Sequence, residues 1–253
     1  MIHSHDVQSI TKGVIGLLYC LENIDTTIPL LDGYDATLYM ALNFNVGMDD
    51  DKDFDYKEFR NAYKNGKGDV IEYVFNKMNQ KSIYPEKNKF GYSNLVWQIL
   101  SYKLQKITNK TCDQLLEKYI GKEGWYWEKD CNDICLGMHG LYMDFSSAKK
   151  IAKLVFNQPI FFEFSVGTIV PKEHWYNKDF NYIRSAFYGW FRTNELNPSI
   201  WTHGYMVQYI ICNLKTKNIS IQLYGHDDKC FTEEGIKYRK NFLIDNLKKF
   251  NIE

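Results

Sequence analysis

Apolar residues recur at three- and four-residue steps from Val7 through Ile10, Val14, Leu17 and Leu18 to Leu21, a spacing that predicts an amphipathic helix. Ala36 to Phe44 reads as a short helix running into Asn45-Val46-Gly47. Phe54 to Met78 has a helical pattern broken at Gly66-Lys67-Gly68, and the polar, proline-containing stretch from Lys81 to Lys89 reads as a loop closed by Gly91. From Asn94 the positions Leu95, Ile99, Leu100, Leu104 and Ile107 give another helix, and Thr111 is placed to cap one more through Leu115, Leu116 and Tyr119. Gly124-Trp125-Tyr126-Trp127 reads as an aromatic loop. After Gly137-Met138-His139-Gly140-Leu141, Ser146 or Ser147 is expected to cap a helix reaching Phe156.

The period then changes. Ala186 to Arg192 is aromatic-rich, Val207 to Leu214 and Ile219 to Leu223 are β-branched runs, and Lys215-Thr216-Lys217-Asn218 between them reads as a hairpin turn. Thr232 to Phe250 predicts a closing helix with lysines at its C-terminal end, where cations suit the helix dipole. Helices followed by antiparallel strands define an α+β class. The expected organisation is one domain over residues 1–253, with a helical subdomain at about 34–145 and a sheet with flanking helices at about 1–33 and 146–253.

Composition narrows the function classes. The chain is 45% apolar and 25% charged, enough for a buried core, so the mean hydropathy of −0.43 does not signal disorder. Thirty-one basic residues balance thirty-one acidic ones, and the absence of a global field argues against a nucleic-acid or anionic-membrane partner. No apolar run reaches the roughly 18 residues a membrane span needs, and Met1 to Asp6 lacks the basic and apolar regions of a secretory signal, so a cytoplasmic location is expected. The six cysteines are scattered; the Cys131/Cys135 pair fits no metal-knuckle spacing, and they read as reduced thiols. The acidic loop Asp49-Asp50-Asp51-Lys52-Asp53 lacks the glycine and glutamate of an EF-hand and reads as a solvated turn, so no metal site is assigned. No glycine-rich phosphate loop occurs, and no cofactor is expected.

One tetrad carries chemistry. In Ser9-Ile10-Thr11-Lys12 the serine and lysine are three residues apart at a helix start, so hydroxyl and amine share a face. A neutral lysine beside a serine can take its proton and make it a nucleophile, and a helix N-terminus places positive potential near a developing oxyanion. Further on, Tyr92-Ser93-Asn94 stands just before a helix and can present a phenol and an amide together.

With these two motifs in order, the chain resembles the serine β-lactamase-like hydrolases, in the branch of class C β-lactamases, penicillin-binding proteins, esterases and 6-aminohexanoate-oligomer hydrolases. The resemblance runs through Ala36 to Met48, Phe90 to Asn94, Gly137 to Lys149, Ile169 to Trp175, Tyr188 to Phe191 and Thr202 to Gln208. It implies an antiparallel sheet flanked by helices, and hydrolysis of a small-molecule ester or amide through an acyl-enzyme. It implies Ser9 as nucleophile, Lys12 as its proton acceptor and Tyr92 as the acid/base serving the leaving group. Asn94 would orient substrate or Lys12, and the third motif would fall on Thr202-His203-Gly204, with His203 and Gly204 at the substrate and the Tyr205 backbone N–H joining that of Ser9 in an oxyanion hole.

The chain departs from that pattern in two places. Only eight residues precede Ser9, where the family carries a helix and two strands, so the chain reads as N-terminally truncated and its sheet as short of those strands. Uncovered sheet edges favour a partner chain or a homo-oligomer. Tyr205-Met206-Val207 is bulkier than the family's small residues, and Thr202 stands where a cation often begins the third motif. The alternative to a hydrolase is therefore a catalytically silent fold kept as a binding or interaction module.

Overall fold

The computed structural model describes residues 5–49, 58–59, 68–81, 85, 88–163, 165–171, 184–192, 199–204, 208–223 and 245. The closing helix expected over 232–250, apart from Asp245, and the acidic loop beyond Asp49 lie outside them. In chain order the elements are β1 (His5–Asp6), α1 (Ile10–Leu21), α2 (Leu38–Leu42), α3 (Val70–Lys81), α4 (Asn94–Thr108), α5 (Cys112–Ile120), β2 (Trp125–Trp127), β3 (Leu141–Met143) and α6 (Phe145–Val155). A 3-10 turn (Pro159–Phe162) leads to β4 (Thr168–Ile169), β5 (Ser185–Phe187), β6 (Trp190–Arg192), β7 (Ser199–Gly204), β8 (Gln208–Asn213) and β9 (Ile219–Gln222). Among the described residues no helix is long and apolar enough to cross a membrane.

Strands β4 to β9 form a six-stranded antiparallel sheet in sequence order, and β1-β3-β2 form a small antiparallel sheet beside it. The fold is thus α+β, as the pattern predicts. Trp125 to Trp127, read as a loop, is a strand: three residues are too few for alternation to register, and their pairing is set by β3, which is distant in sequence.

Helix α1 is the centre of the molecule. Its periodicity predicts one apolar face, yet every residue from Ile10 to Tyr19 is buried. One flank of the helix carries Gly13 and Gly16, and the lack of side chains there lets the sheet approach the helix backbone. A Cβ on Gly16 would stand 1.9 Å from the Tyr188 carbonyl, and one on Gly13 2.7 Å from the Thr202 hydroxyl. Trp190 Nε1 donates to the Gly13 carbonyl at 2.9 Å. On the other side Tyr19 donates to the Leu100 carbonyl of α4 at 2.8 Å, and Tyr119 of α5 to the Leu21 carbonyl at 3.0 Å.

Local chemistry sets the helix starts. Thr37 accepts from Met40 N at the start of α2, and Ser93 from Val96 N at the start of α4. Helix α6 is capped by Asp144, whose carboxylate accepts from Ser147 N at 2.7 Å, rather than by the expected Ser146 or Ser147. The Ser147 hydroxyl instead donates to the Glu123 carbonyl, so the stronger, charged acceptor takes the cap. Between β5 and β6, Tyr188 and Gly189 both have positive φ, 49° and 76°, the geometry of a two-residue hairpin. A side chain on Gly189 would collide with the Lys12 carbonyl at 2.4 Å, so this hairpin seats against the first turn of α1.

Candidate active site

The turn from β1 into α1 begins the site. Gln8 holds φ 51°, a left-handed conformation that is uncommon outside glycine, and Asp6 compensates by accepting from Gln8 N at 3.1 Å and Gln8 Nε2 at 2.5 Å. The Asp6 carbonyl accepts from Gln208 Nε2 of β8 at 2.6 Å, tying this entry to the sheet. Gly204, at the end of β7, completes the seat: a Cβ there would lie 2.3 Å from the Val7 carbonyl and 3.1 Å from Gln8 Cβ. Ser9 stands at the N-cap position of α1, with no capping hydrogen bond from its side chain, and is half-buried.

Lys12, one helical turn on, is 1% exposed. Its Nζ donates to Ser9 Oγ at 2.8 Å and to the Met138 carbonyl at 2.9 Å. Tyr92 donates its phenol to Ser9 Oγ at 3.1 Å, and Lys12 Nζ stands 5.3 Å from the centroid of the Tyr92 ring. The ring is held in place by Phe44, stacked on it at 5.9 Å. Asn94, two residues beyond Tyr92, opens α4 and is fully buried. The three residues expected to do chemistry, 83 positions apart at the extremes, therefore meet on one oxygen.

The third motif divides by strand alternation. Thr202 meets Gly13 and donates to the Gly189 carbonyl at 3.0 Å, and Gly204 meets Val7 and Gln8, so both serve the α1 side. His203 instead packs against the touching rings of Phe191 and Trp201, with centroids at 5.6 and 5.1 Å. Burial pushes its pKa down to about 4, the positive Lys12 pushes it the same way, and a backbone hydrogen bond involving Gly204 opposes them. His203 is thus neutral near pH 7 and supplies no cation in place of the one that Thr202 lacks. Tyr205 lies outside the described residues.

Two participants carry no signal that sequence reasoning used. The Met138 carbonyl is a backbone group whose neighbour is 126 positions away. Asp6 is a side chain that fixes a turn without belonging to any motif. Among the described residues no group of three or more His, Cys, Asp or Glu could hold a metal ion.

A serine oxygen gripped by a buried lysine and a tyrosine, between a helical layer and an antiparallel sheet, is also the arrangement expected from the family resemblance. No family model and no curated protein matches the chain. Solved structures do. A candidate β-lactamase from Bacteroides dorei superposes with TM-score 0.67 at 14% identity, over 99% of this chain and 86% of that one. The chain has the serine β-lactamase fold. A candidate 6-aminohexanoate-dimer hydrolase from Bacillus anthracis gives 0.64 at 17% identity, over 96% of this chain and 72% of that one. The D-amino acid amidase of Ochrobactrum anthropi gives 0.59 at 11%, over 98% and 84%. The serine β-lactamase fold thus joins this chain to proteins named as hydrolases, with little sequence in common.

Proposed function

We propose that the chain is a serine hydrolase that cleaves a small-molecule ester or amide through an acyl-enzyme on Ser9. The observation that carries this reading is the convergence of Lys12 Nζ and the Tyr92 phenol on Ser9 Oγ. The deprotonated form of Lys12 is the reactive one: its amine takes the Ser9 proton as Oγ bonds to the substrate carbonyl carbon. The C–O or C–N bond to the leaving group then breaks, and Tyr92 passes a proton to the departing oxygen or nitrogen. Water attacks the acyl-enzyme carbonyl in the second half and gives its proton to the Tyr92 phenolate; the Oγ–acyl bond then breaks, Lys12 returns its proton to Ser9 Oγ, and the acid is released. Asn94 orients the substrate or Lys12, and Gly204 lets β7 seat against the Val7–Gln8 turn that presents Ser9 to the substrate. The Ser9 and Tyr205 backbone N–H groups receive the oxyanion, and His203 lines the same end of the strand as a neutral group.

Intact-protein mass spectrometry after exposure to activated esters, a β-lactam and a fluorophosphonate tests this. The expected result is one adduct per chain, absent in Ser9→Ala. Lys12→Ala should slow its formation by about 10²- to 10⁴-fold, the usual worth of a positioned general base. A folded protein that takes no adduct, or an adduct that persists in Ser9→Ala, would overturn the reading in favour of a silent binding fold.

A further inference from the structure

Resting on that reading, we infer that Gln98 is a positioning residue for the proton acceptor: it sets the Met138 carbonyl that holds Lys12. Helix α4 carries three buried polar side chains, Asn94, Gln98 and Ser101, at four- and three-residue steps along one face. Asn94 belongs to the site. Gln98 and Ser101 serve a segment of chain that crosses the helix, residues 135–138.

Five polar backbone groups of that segment are held by neighbours. The Cys135 carbonyl accepts from Gln98 Nε2 at 3.2 Å and from Ser101 Oγ at 2.7 Å. Leu136 N donates to the Glu128 carbonyl at 3.0 Å, and the Leu136 carbonyl accepts from Trp127 Nε1 at 2.9 Å. Gly137 N donates to Gln98 Oε1 at 2.8 Å. The next carbonyl, Met138, receives Lys12. Gln98 therefore grips the segment twice with one amide, immediately before the peptide that matters. Gly137 allows this closeness, because a Cβ there would lie 2.1 Å from the Trp97 carbonyl of α4.

The position asks for an explanation. Gln98 is fully buried in a helix whose other buried side chains are mostly leucine, isoleucine, valine and tryptophan, and a leucine there would pack without desolvating an amide. The amide is matched donor to acceptor and acceptor to donor against one strand of chain, which fixes that strand along its length. A Lys12 amine anchored by the Met138 carbonyl is held 2.8 Å from Ser9 Oγ, so that in its deprotonated form the lone pair meets the hydroxyl. Letting the carbonyl drift removes that orientation while leaving Ser9, Tyr92 and the substrate seat intact.

The test is the maximum rate of Ser9 acylation by a fluorophosphonate, with the probe concentration giving half that rate, in wild-type protein, Gln98→Leu and Gln98→Glu. Gln98→Leu removes both hydrogen bonds and should lower the maximum rate by about 10- to 100-fold, with the half-saturating concentration unchanged, the scale of a sub-ångström to ångström misplacement. Gln98→Glu should restore most of the rate, because a buried acid is held protonated by desolvation and offers the same carbonyl acceptor and one donor. If Gln98→Leu does not fold, Gln98→Met fills the same space and carries the same expectation. A folded apolar variant with the wild-type maximum rate, or an equal loss in Gln98→Glu, would overturn the inference while the wild-type adduct still stands. Absence of any wild-type adduct would overturn the acyl-enzyme reading and this inference with it.

Discussion

His203 takes its protonation state from its neighbours. Packed against Phe191 and Trp201 and half-buried, it loses part of the water that would solvate an imidazolium, and its pKa falls from 6.5 to about 4. The unfolded chain binds a proton near pH 6.5 and the folded one does not until about pH 4, so between these values the unfolded state holds more protons. Stability from this residue is complete above about pH 6.5 and is lost as pH falls toward 4. Chemical denaturation from pH 7.5 down to 4.5 should show a steeper fall in midpoint for the wild type than for His203→Phe. Equal slopes would mean that His203 is solvated and protonates as freely in the folded protein as out of it. Arg192 meets burial differently: its guanidinium donates to the Val166 and Phe161 carbonyls at 2.8 and 3.2 Å and lies over the Phe187 ring. Burial draws its pKa down to about 10, which still leaves it charged at neutral pH.

At the scale of elements, the packing of α1 against the sheet decides whether a site exists. The helix approaches β6 and its hairpin so closely because Gly16 faces the Tyr188 carbonyl across a gap that a methyl group would close to 1.9 Å. A contact with backbone cannot relax by rotating a side chain. Gly16→Ala should therefore cost about 3 kcal/mol despite the higher helix propensity of alanine. In a chain of this length that lowers Tm by roughly 6–12 °C, measurable by differential scanning calorimetry. A stabilised Gly16→Ala variant would show that propensity outweighs the contact and that α1 sits farther from the sheet.

The same helix marks the limit of what the sequence makes legible. The three-four spacing of its leucines is a local signal, as is the Ser9–Lys12 step, and both appear in the fold. The full burial of α1 is a tertiary outcome, because Gly13 and Gly16 become a packing face only once β6 and β7 are present. Strands β2 and β3, of three residues each, are too short to express alternation. The cap of α6 is ambiguous because Asp144, Ser146 and Ser147 all offer suitable oxygens, and geometry chooses the charged one. Ser9, Lys12 and Tyr92 were reachable through motif and resemblance. The Met138 carbonyl was not, since backbone carbonyls are the same in every residue and only the folded chain says which one a lysine meets.

For the molecule as a whole, the site is assembled from parts that are far apart along the chain: Ser9 and Lys12 from α1, Tyr92 from the turn before α4, Met138 from the segment crossing it, and Gly204 from β7. α1 is hydrogen-bonded to α4 and α5 on one side and to β6 on the other, so opening either layer exposes its core face. One cooperative unit is the expected consequence. The buried thiols report on it: Cys112 and Cys135 lie in the helical layer and Cys212 in the sheet, all fully buried, while Cys131 is exposed. Burial also holds the Cys135 and Cys212 thiols above their usual range, so neither reacts without opening. Pulsed alkylation along a urea series, read peptide by peptide, should label Cys131 without denaturant and Cys112, Cys135 and Cys212 together at a single midpoint. Loss of the Ser9 adduct should follow the same curve, because α1, which carries both Ser9 and Lys12, is held in place by contacts with both layers. Labelling of Cys212 at clearly lower urea than Cys135 would show instead that the sheet opens while the helical layer stands, and that the chain is two units sharing one helix.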